Sequence, residues 1–209
     1  MTWNEIVKVF GESENEIKVS RSIGTAKGVL ARMGINGEST LGQVVSHTKE
    51  IYVNRYLRLC GSSNIEKINA LVKKYYPGDK LIVATDVWGG IFAISNGDFE
   101  GHPASMWYYA PDLLAWEDMG INYTKFVNWV ADLQVERYYD SWLWYECEKY
   151  LAPKMSGLVG GVNSDQAVLM YPFMWSKGFD VVTATKKTVP FAEVLALNFD
   201  NEKKAQKRE

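Results

Sequence analysis

The sequence predicts an α+β fold. Three observations carry this. Segments with helical period are grouped rather than alternating one-for-one with strands. The strand-like segments are rich in β-branched and aromatic residues. Short turn signals such as Asn96-Gly97 join neighbouring strands, as antiparallel pairing allows. The expectation is an antiparallel meander of about five or six strands flanked by helices. It forms a single domain over residues 1–200, and residues 201–209 form a polar, frayed C-terminal tail.

The elements follow in order. Trp3, Ile6, Val7 and Phe10 lie on one helical face, with Gly11 as a stop. A second helix is expected from Ser22 to Met33 on the stripe Ile23, Ala26, Leu30 and Met33, although Gly24 and Gly28 weaken it. Leu41–Val45 and Ile51–Tyr56 are expected as two strands of a hairpin joined through Thr48-Lys49-Glu50, with Leu57–Cys60 continuing it. Asn64 is placed as the N-cap of a helix carrying Ile65, Ile68, Leu71, Val72 and Tyr75, ended by Pro77-Gly78.

The runs LIVATDVW, IFAIS and MWYYA then read as a three-stranded meander. Gly89-Gly90 turns the first corner and Asn96-Gly97 the second. A helix from Asn122 or Tyr123 carries Phe126, Val127, Val130 and Leu133. Another is expected from Val135 to Leu151 with Tyr139, Leu143, Cys147 and Leu151 aligned. A strand over Ala167–Trp175 and a helix opened by Pro190 and running to Asn198 complete the domain.

Composition limits the function classes. The chain has 209 residues, 47% of them hydrophobic, which is enough for a sizeable core. A net charge of −2 provides no field for a polyanion, so no nucleic-acid partner is expected. No run approaches a membrane span and the N-terminal segment does not read as a signal peptide. Two isolated cysteines, Cys60 and Cys147, make neither a disulfide framework nor a zinc cluster, so a cytoplasmic setting is expected.

Motifs for chemistry are sparse. The glycines at 89–90 and 157–161 lack the spacing of a phosphate loop, so turns are the plainer reading. His47 and His102 lack metal-ligand spacing, and no metal or cofactor is expected. A Cys60–histidine pair stays open, whereas Cys147 reads as a small core hydrophobe. Asp86, Asp112, Glu117 and Asp118 could act as acids and bases; solvated turns and edges are the simpler reading. Trp88, Trp107, Tyr108, Tyr109 and Trp116 cluster in sequence with these acids, a composition suited to a protein interface with a basic partner.

The stretch VATDVWGGIFAISNGDF followed by MWYYAPDLLAWEDMGINYTKFVNWV resembles the bacterial family catalogued as domain of unknown function 2625. The matching positions are Asp86, Gly89-Gly90, Asn96-Gly97, Tyr108–Asp112, Trp116–Asp118, Phe126 and Trp129. The segments STLGQVV, YLRLCGS, YPFMWS and VPFAEVLAL also fit. Asp98, where a small residue is usual, and the stretch Trp142–Gly161 depart from the pattern.

That resemblance implies no activity. A remoter similarity to the SUKH superfamily implies an α+β domain of immunity type that binds and neutralises a toxin without catalytic residues. The resulting expectation is a non-catalytic protein-binding module contacting its partner through Asp86, Trp88, Trp107, Trp116, Glu117 and Asp118. The partner would be a basic toxin or other protein. The alternative is a small-molecule binder or enzyme with a pocket beside the Gly89-Gly90 hairpin, holding Asp86 and Glu117 near His102. A third option is a domain whose role is oligomerisation.

Overall fold

The structure is a computed structural model that describes residues 1–22, 24, 26–100, 102–145, 147 and 162–207. Its centre is a seven-stranded antiparallel sheet in which sequence neighbours are also spatial neighbours. The strands are β1 (Ile17–Arg21), β2 (Thr48–Val53), β3 (Leu57–Cys60), β4 (Leu81–Asp86), β5 (Ile91–Ile94), β6 (Ser105–Ala110) and β7 (Ala115–Asn122). A separate two-stranded ribbon pairs β8 (Gln166–Tyr171) with β9 (Thr185–Pro190). The α+β expectation is met, with a longer meander than anticipated.

Seven α-helices surround the sheet among the described residues. They are α1 (Trp3–Gly11), α2 (Ala26–Met33), α3 (Thr40–His47), α4 (Ile65–Lys73), α5 (Tyr123–Ala131), α6 (Gln134–Tyr139) and α7 (Phe191–Gln206). Helices α1, α3 and α5 pack together, and α5 and α6 cover the sheet face that carries Phe92 and Tyr108. Helices α4 and α7 lie against the opposite face, where Tyr76 meets both Tyr109 and Phe199 and the Tyr109 hydroxyl donates to Glu202. With helices on both faces, the central strands are buried on both sides and read as continuous apolar runs such as LIVATD.

Local chemistry explains most elements. Thr2 and Glu5 form a capping box that starts α1. The β2–β3 turn places Asn54 and Arg55 at positive φ. The Asn54 side chain holds it by accepting from Glu16 N and donating to Asn15 and Tyr56. Pro190 precedes the first turn of α7, as expected, with Phe191, Val194 and Leu195 buried on its inner face.

Four expectations are corrected. Leu41–Val45 is not a strand but part of α3, and Thr48–Glu50 is strand rather than turn. The Ser39 hydroxyl caps that helix by accepting from Gly42 N, and a side chain at Gly42 would strike the Asn36 carbonyl 2.0 Å away. Helical contacts thus override the β preference of Val44 and Val45. Helix α2 begins only at Ala26, and its buried residue is Val29. The helix expected over 135–151 ends at Tyr139, tightens into a 3₁₀ turn at Asp140–Trp142 and becomes extended at Leu143; its later part lies outside the described residues, as does the glycine cluster 157–161. Finally, α7 continues to Gln206 through most of the expected tail.

Three strands carry no expectation at all: β1, β7 and β9. Asn64 stands at the N-cap of α4, but its side chain accepts from Gly61 N instead of a helix amide.

Candidate functional site

The Gly89-Gly90 segment is the tight turn between β4 and β5, built around a buried carboxylate. Asp86 Oδ1 accepts from the backbone N–H groups of Trp88 and Gly90, both at 2.8 Å. Oδ2 accepts from the hydroxyls of Tyr108 at 2.7 Å and Tyr139 at 3.2 Å. Asp86 is 0% exposed. Burial pushes its pKa up, and the donors from Tyr108, Gly90, Trp88 and Tyr139 work against that rise.

The turn has room for nothing larger than glycine. A Cβ on Gly90 would lie 2.0 Å from Asp86 Oδ2 and 2.4 Å from the Tyr108 hydroxyl. Gly89 sits at φ +97°, and a Cβ there would lie 2.5 Å from Val194 of α7. Gly90 therefore lets the turn close on Asp86 and Tyr108, and Gly89 lets it pack against α7.

Trp88 is also interior. It is 1% exposed and stacks on Tyr139 with ring centroids 5.1 Å apart, with Tyr56 and Trp142 beside it. Beside this turn, the cavity lined by Trp88, Val194 and Asn198 holds about 10 Å³, the room of one water molecule.

The remaining expected residues lie at the β6–β7 end of the sheet. The register pairs Trp107 with Asp118, Tyr109 with Trp116 and Tyr108 with Glu117. Strand alternation then puts Trp107, Trp116 and Asp118 on one face and Glu117 on the other. The six expected contact residues therefore split three ways. Asp86 and Trp88 are core, Glu117 is exposed on the face toward α6, and Trp107, Trp116 and Asp118 come together.

This last group has a member that the sequence reading missed. Phe99 stacks on Trp107 at 4.4 Å and 13°, and its ring lies 5.1 Å from Trp116. All three rings are half-buried. Trp116 also contacts Tyr109 and Tyr76, so its inner edge belongs to the core.

Behind the rings, the Lys80 ammonium lies 5.6 Å from the Phe99 centroid and 5.9 Å from Trp116, and pairs with Asp98 at 2.8 Å. Asp98 also accepts from the Asp79 and Lys80 amides at 2.8 and 2.9 Å. Partial burial acts to raise the Asp98 pKa. The two amides and the ammonium outweigh it and hold the carboxyl at about 2. The unusual residue after the Asn-Gly turn thus fastens the 78–80 loop under the aromatic layer.

The other reactive candidates are placed as follows. His47 closes α3 and lies flat on Trp3 at 4.7 Å. His102 is in an exposed loop. Cys60 is buried, which pushes its thiol well up and disfavours the thiolate. Asp112 lies in the β6–β7 turn, where burial raises its pKa. Among the described residues, no group of three or more His, Cys, Asp or Glu side chains could hold a metal ion, and no helix is long and apolar enough to cross a membrane.

A second constellation sits across the sheet. Arg58 on β3 is 1% exposed, and its guanidinium donates to the Gln166 and Val162 carbonyls at 2.8 and 2.9 Å. Burial lowers its pKa to about 10. Its cross-strand neighbours Tyr52 and Thr85 line a cleft of about 680 Å³, together with Lys67 of α4, Asp165 and the start of α7.

The residues around the turn and the aromatic layer match a known family. A model described as protein of unknown function DUF2625 matches residues 1–194. The chain belongs to the DUF2625 family. Two relatives extend the picture of DUF2625. A putative uncharacterized protein YbfG of Escherichia coli (strain K12) is 22% identical over 180 residues, covering 83% of this chain and 79% of that protein. An uncharacterized protein of Haemophilus influenzae (strain ATCC 51907 / DSM 11121 / KW20 / Rd) is 27% identical over 153 residues, covering 68% of this chain and 67% of its own length.

Proposed function

We propose that this DUF2625 chain is a cytoplasmic, non-catalytic protein-binding domain whose contact surface is the Phe99–Trp107–Trp116 layer with Asp118 beside it. The observation that supports this reading is the half-exposure of three clustered rings at a sheet end, Phe99 stacked on Trp107 and tilted against Trp116. Large flat side chains lose little conformational entropy on docking, and they dominate the energetics of protein interfaces. Exposed Glu100 and Asp118 give the border an acidic character, which selects a basic partner. A basic toxin bound in an immunity-type interaction is one such partner, in line with the remote SUKH resemblance.

The test is affinity capture from the native cells with wild type, Trp107→Ala and Asp118→Lys. The reading expects a basic protein held by wild type and released by both variants, each still folded by its thermal melt. A captured set indifferent to both substitutions would overturn it.

A second reading, small-molecule binding, is favoured by the 680 Å³ cleft over Tyr52 and Thr85, whose size suits a drug-sized ligand. It moves the alternative site away from the Gly89-Gly90 hairpin. Ligand-induced thermal stabilisation that Lys67→Ala abolishes would support it; no stabilisation across a polar metabolite panel would count against it.

A further inference from the structure

We infer that the cavity between the Gly89 turn and α7 is a binding site for a single water molecule, held by Trp88 and Asn198. The argument begins with α7. Phe191, Val194, Leu195 and Asn198 recur at helical spacing and all are buried, so Asn198 is a polar residue on an apolar stripe. It is 1% exposed, and among the described residues neither its Oδ1 nor its Nδ2 has a hydrogen-bond partner. Trp88, also 1% exposed, has an indole Nε1–H with no acceptor among the described residues. Buried polar groups in native folds are almost always hydrogen-bonded, so these residues call for a partner.

Both residues line the same cavity of about 10 Å³. Its other walls include Val168, Met170, Phe173 and Val194, which supply no strong side-chain acceptor. The partner must accept from an indole N–H, bond a carboxamide, and fit a space the size of one water. Water meets all three conditions, and Trp88 Nε1–H with the Asn198 carboxamide gives it the polar partners that a buried water needs within otherwise apolar walls. A larger polar ligand does not fit.

The geometry of the turn supports the same assignment. A Cβ on Gly89 would lie 3.5 Å from Asn198 Nδ2, so the glycine lets α7 approach the hairpin closely enough for one water to bridge them. The water ties the sheet to the C-terminal helix at the point where the Asp86 turn is most tightly packed.

A high-resolution crystal structure of the wild-type chain tests this without any substitution. The expected result is an ordered water within hydrogen-bond distance of Trp88 Nε1 and the Asn198 carboxamide. A dry cavity, or an Asn198 side chain bonded directly to Trp88, would overturn the inference. In solution, oxygen-17 relaxation dispersion counts long-lived internal waters. The count should fall by one in a folded Asn198→Leu variant, and an unchanged count would likewise overturn it.

Discussion

The Tyr108 hydroxyl donates to the Asp86 carboxylate at 2.7 Å, and both residues are at most 1% exposed. This bond joins β6 to the end of β4 across β5, and Tyr139 of α6 converges on the same oxygen. Removing one hydroxyl should therefore be felt by the whole fold. Tyr108→Phe should lose about 2 kcal/mol of stability, the range for a bond to a buried charged group. Urea denaturation measures this, and a loss below about 0.5 kcal/mol would show that the bond is dispensable.

The Gly90 contacts predict a steep steric penalty. Gly90→Ala should cost about 3 kcal/mol or more, because the new methyl overlaps Asp86 Oδ2 and the Tyr108 ring. Gly11→Ala is the matched control, since nothing lies within 4 Å of its Cβ position, and it should stay within about 0.5 kcal/mol of wild type. Equal effects at the two sites would contradict the packed-turn account.

Asp98 predicts a pH dependence with a defined sign. Its folded pKa of about 2 lies below the ordinary carboxylate value, so its contribution is present above about pH 4 and lost as pH falls toward 2. Asp98→Asn should remove on the order of 1 kcal/mol at neutral pH, after allowance for solvent screening. Melting temperatures measured between pH 2 and 7 should converge for wild type and variant at the acid end. Parallel curves would show that Asp98 does not fasten the 78–80 loop through its charge.

Arg58 is a guanidinium used for its geometry. Its two terminal nitrogens reach separate carbonyls, Val162 and Gln166, which a single ammonium cannot reproduce. Arg58→Lys should destabilise by about 2–3 kcal/mol, because carbonyls and a buried cation lose partners together. Chemical denaturation checks this, and a neutral result would remove Arg58 from the framework of the cleft.

Much of the sheet was readable from sequence, for identifiable reasons. Strands β3 to β6 are sandwiched between helices, so their apolar runs stand out, whereas Asn96-Gly97 belongs to a loop over 95–104 and not to the tight turn expected between β5 and β6. The missed strands β1, β7 and β9 are edges or belong to a two-stranded ribbon, and stay largely solvated. Lys18, Glu117, Asp118 and Lys187 on them look like loop residues, although charges are what protect exposed edges. Helix α3 was misread because its β-branched residues outweigh a cap and a close backbone approach invisible in spacing.

The site was half legible. The aromatic and acidic composition singled out Trp107, Trp116 and Asp118, and pairing across β6 and β7 brings them together. Alternation alone could have separated Glu117 from them had β7 been recognised. Asp86 and Trp88 looked like contacts because their sequence neighbours are aromatic; burial under α6 and α7 makes them framework. Phe99 gave no signal, since its stacking on Trp107 arises from the loop after Gly97 folding back over the sheet.

The most direct measurement of the interface is site-specific photocrosslinking in the native cells. A benzophenone side chain replaces Asp118 in one variant and Val7 of α1, 49% exposed and outside the aromatic layer, in another. The protein-binding account predicts a discrete adduct with a basic protein from position 118 and none from position 7. No adduct from 118, or the same adducts from both positions, would contradict it.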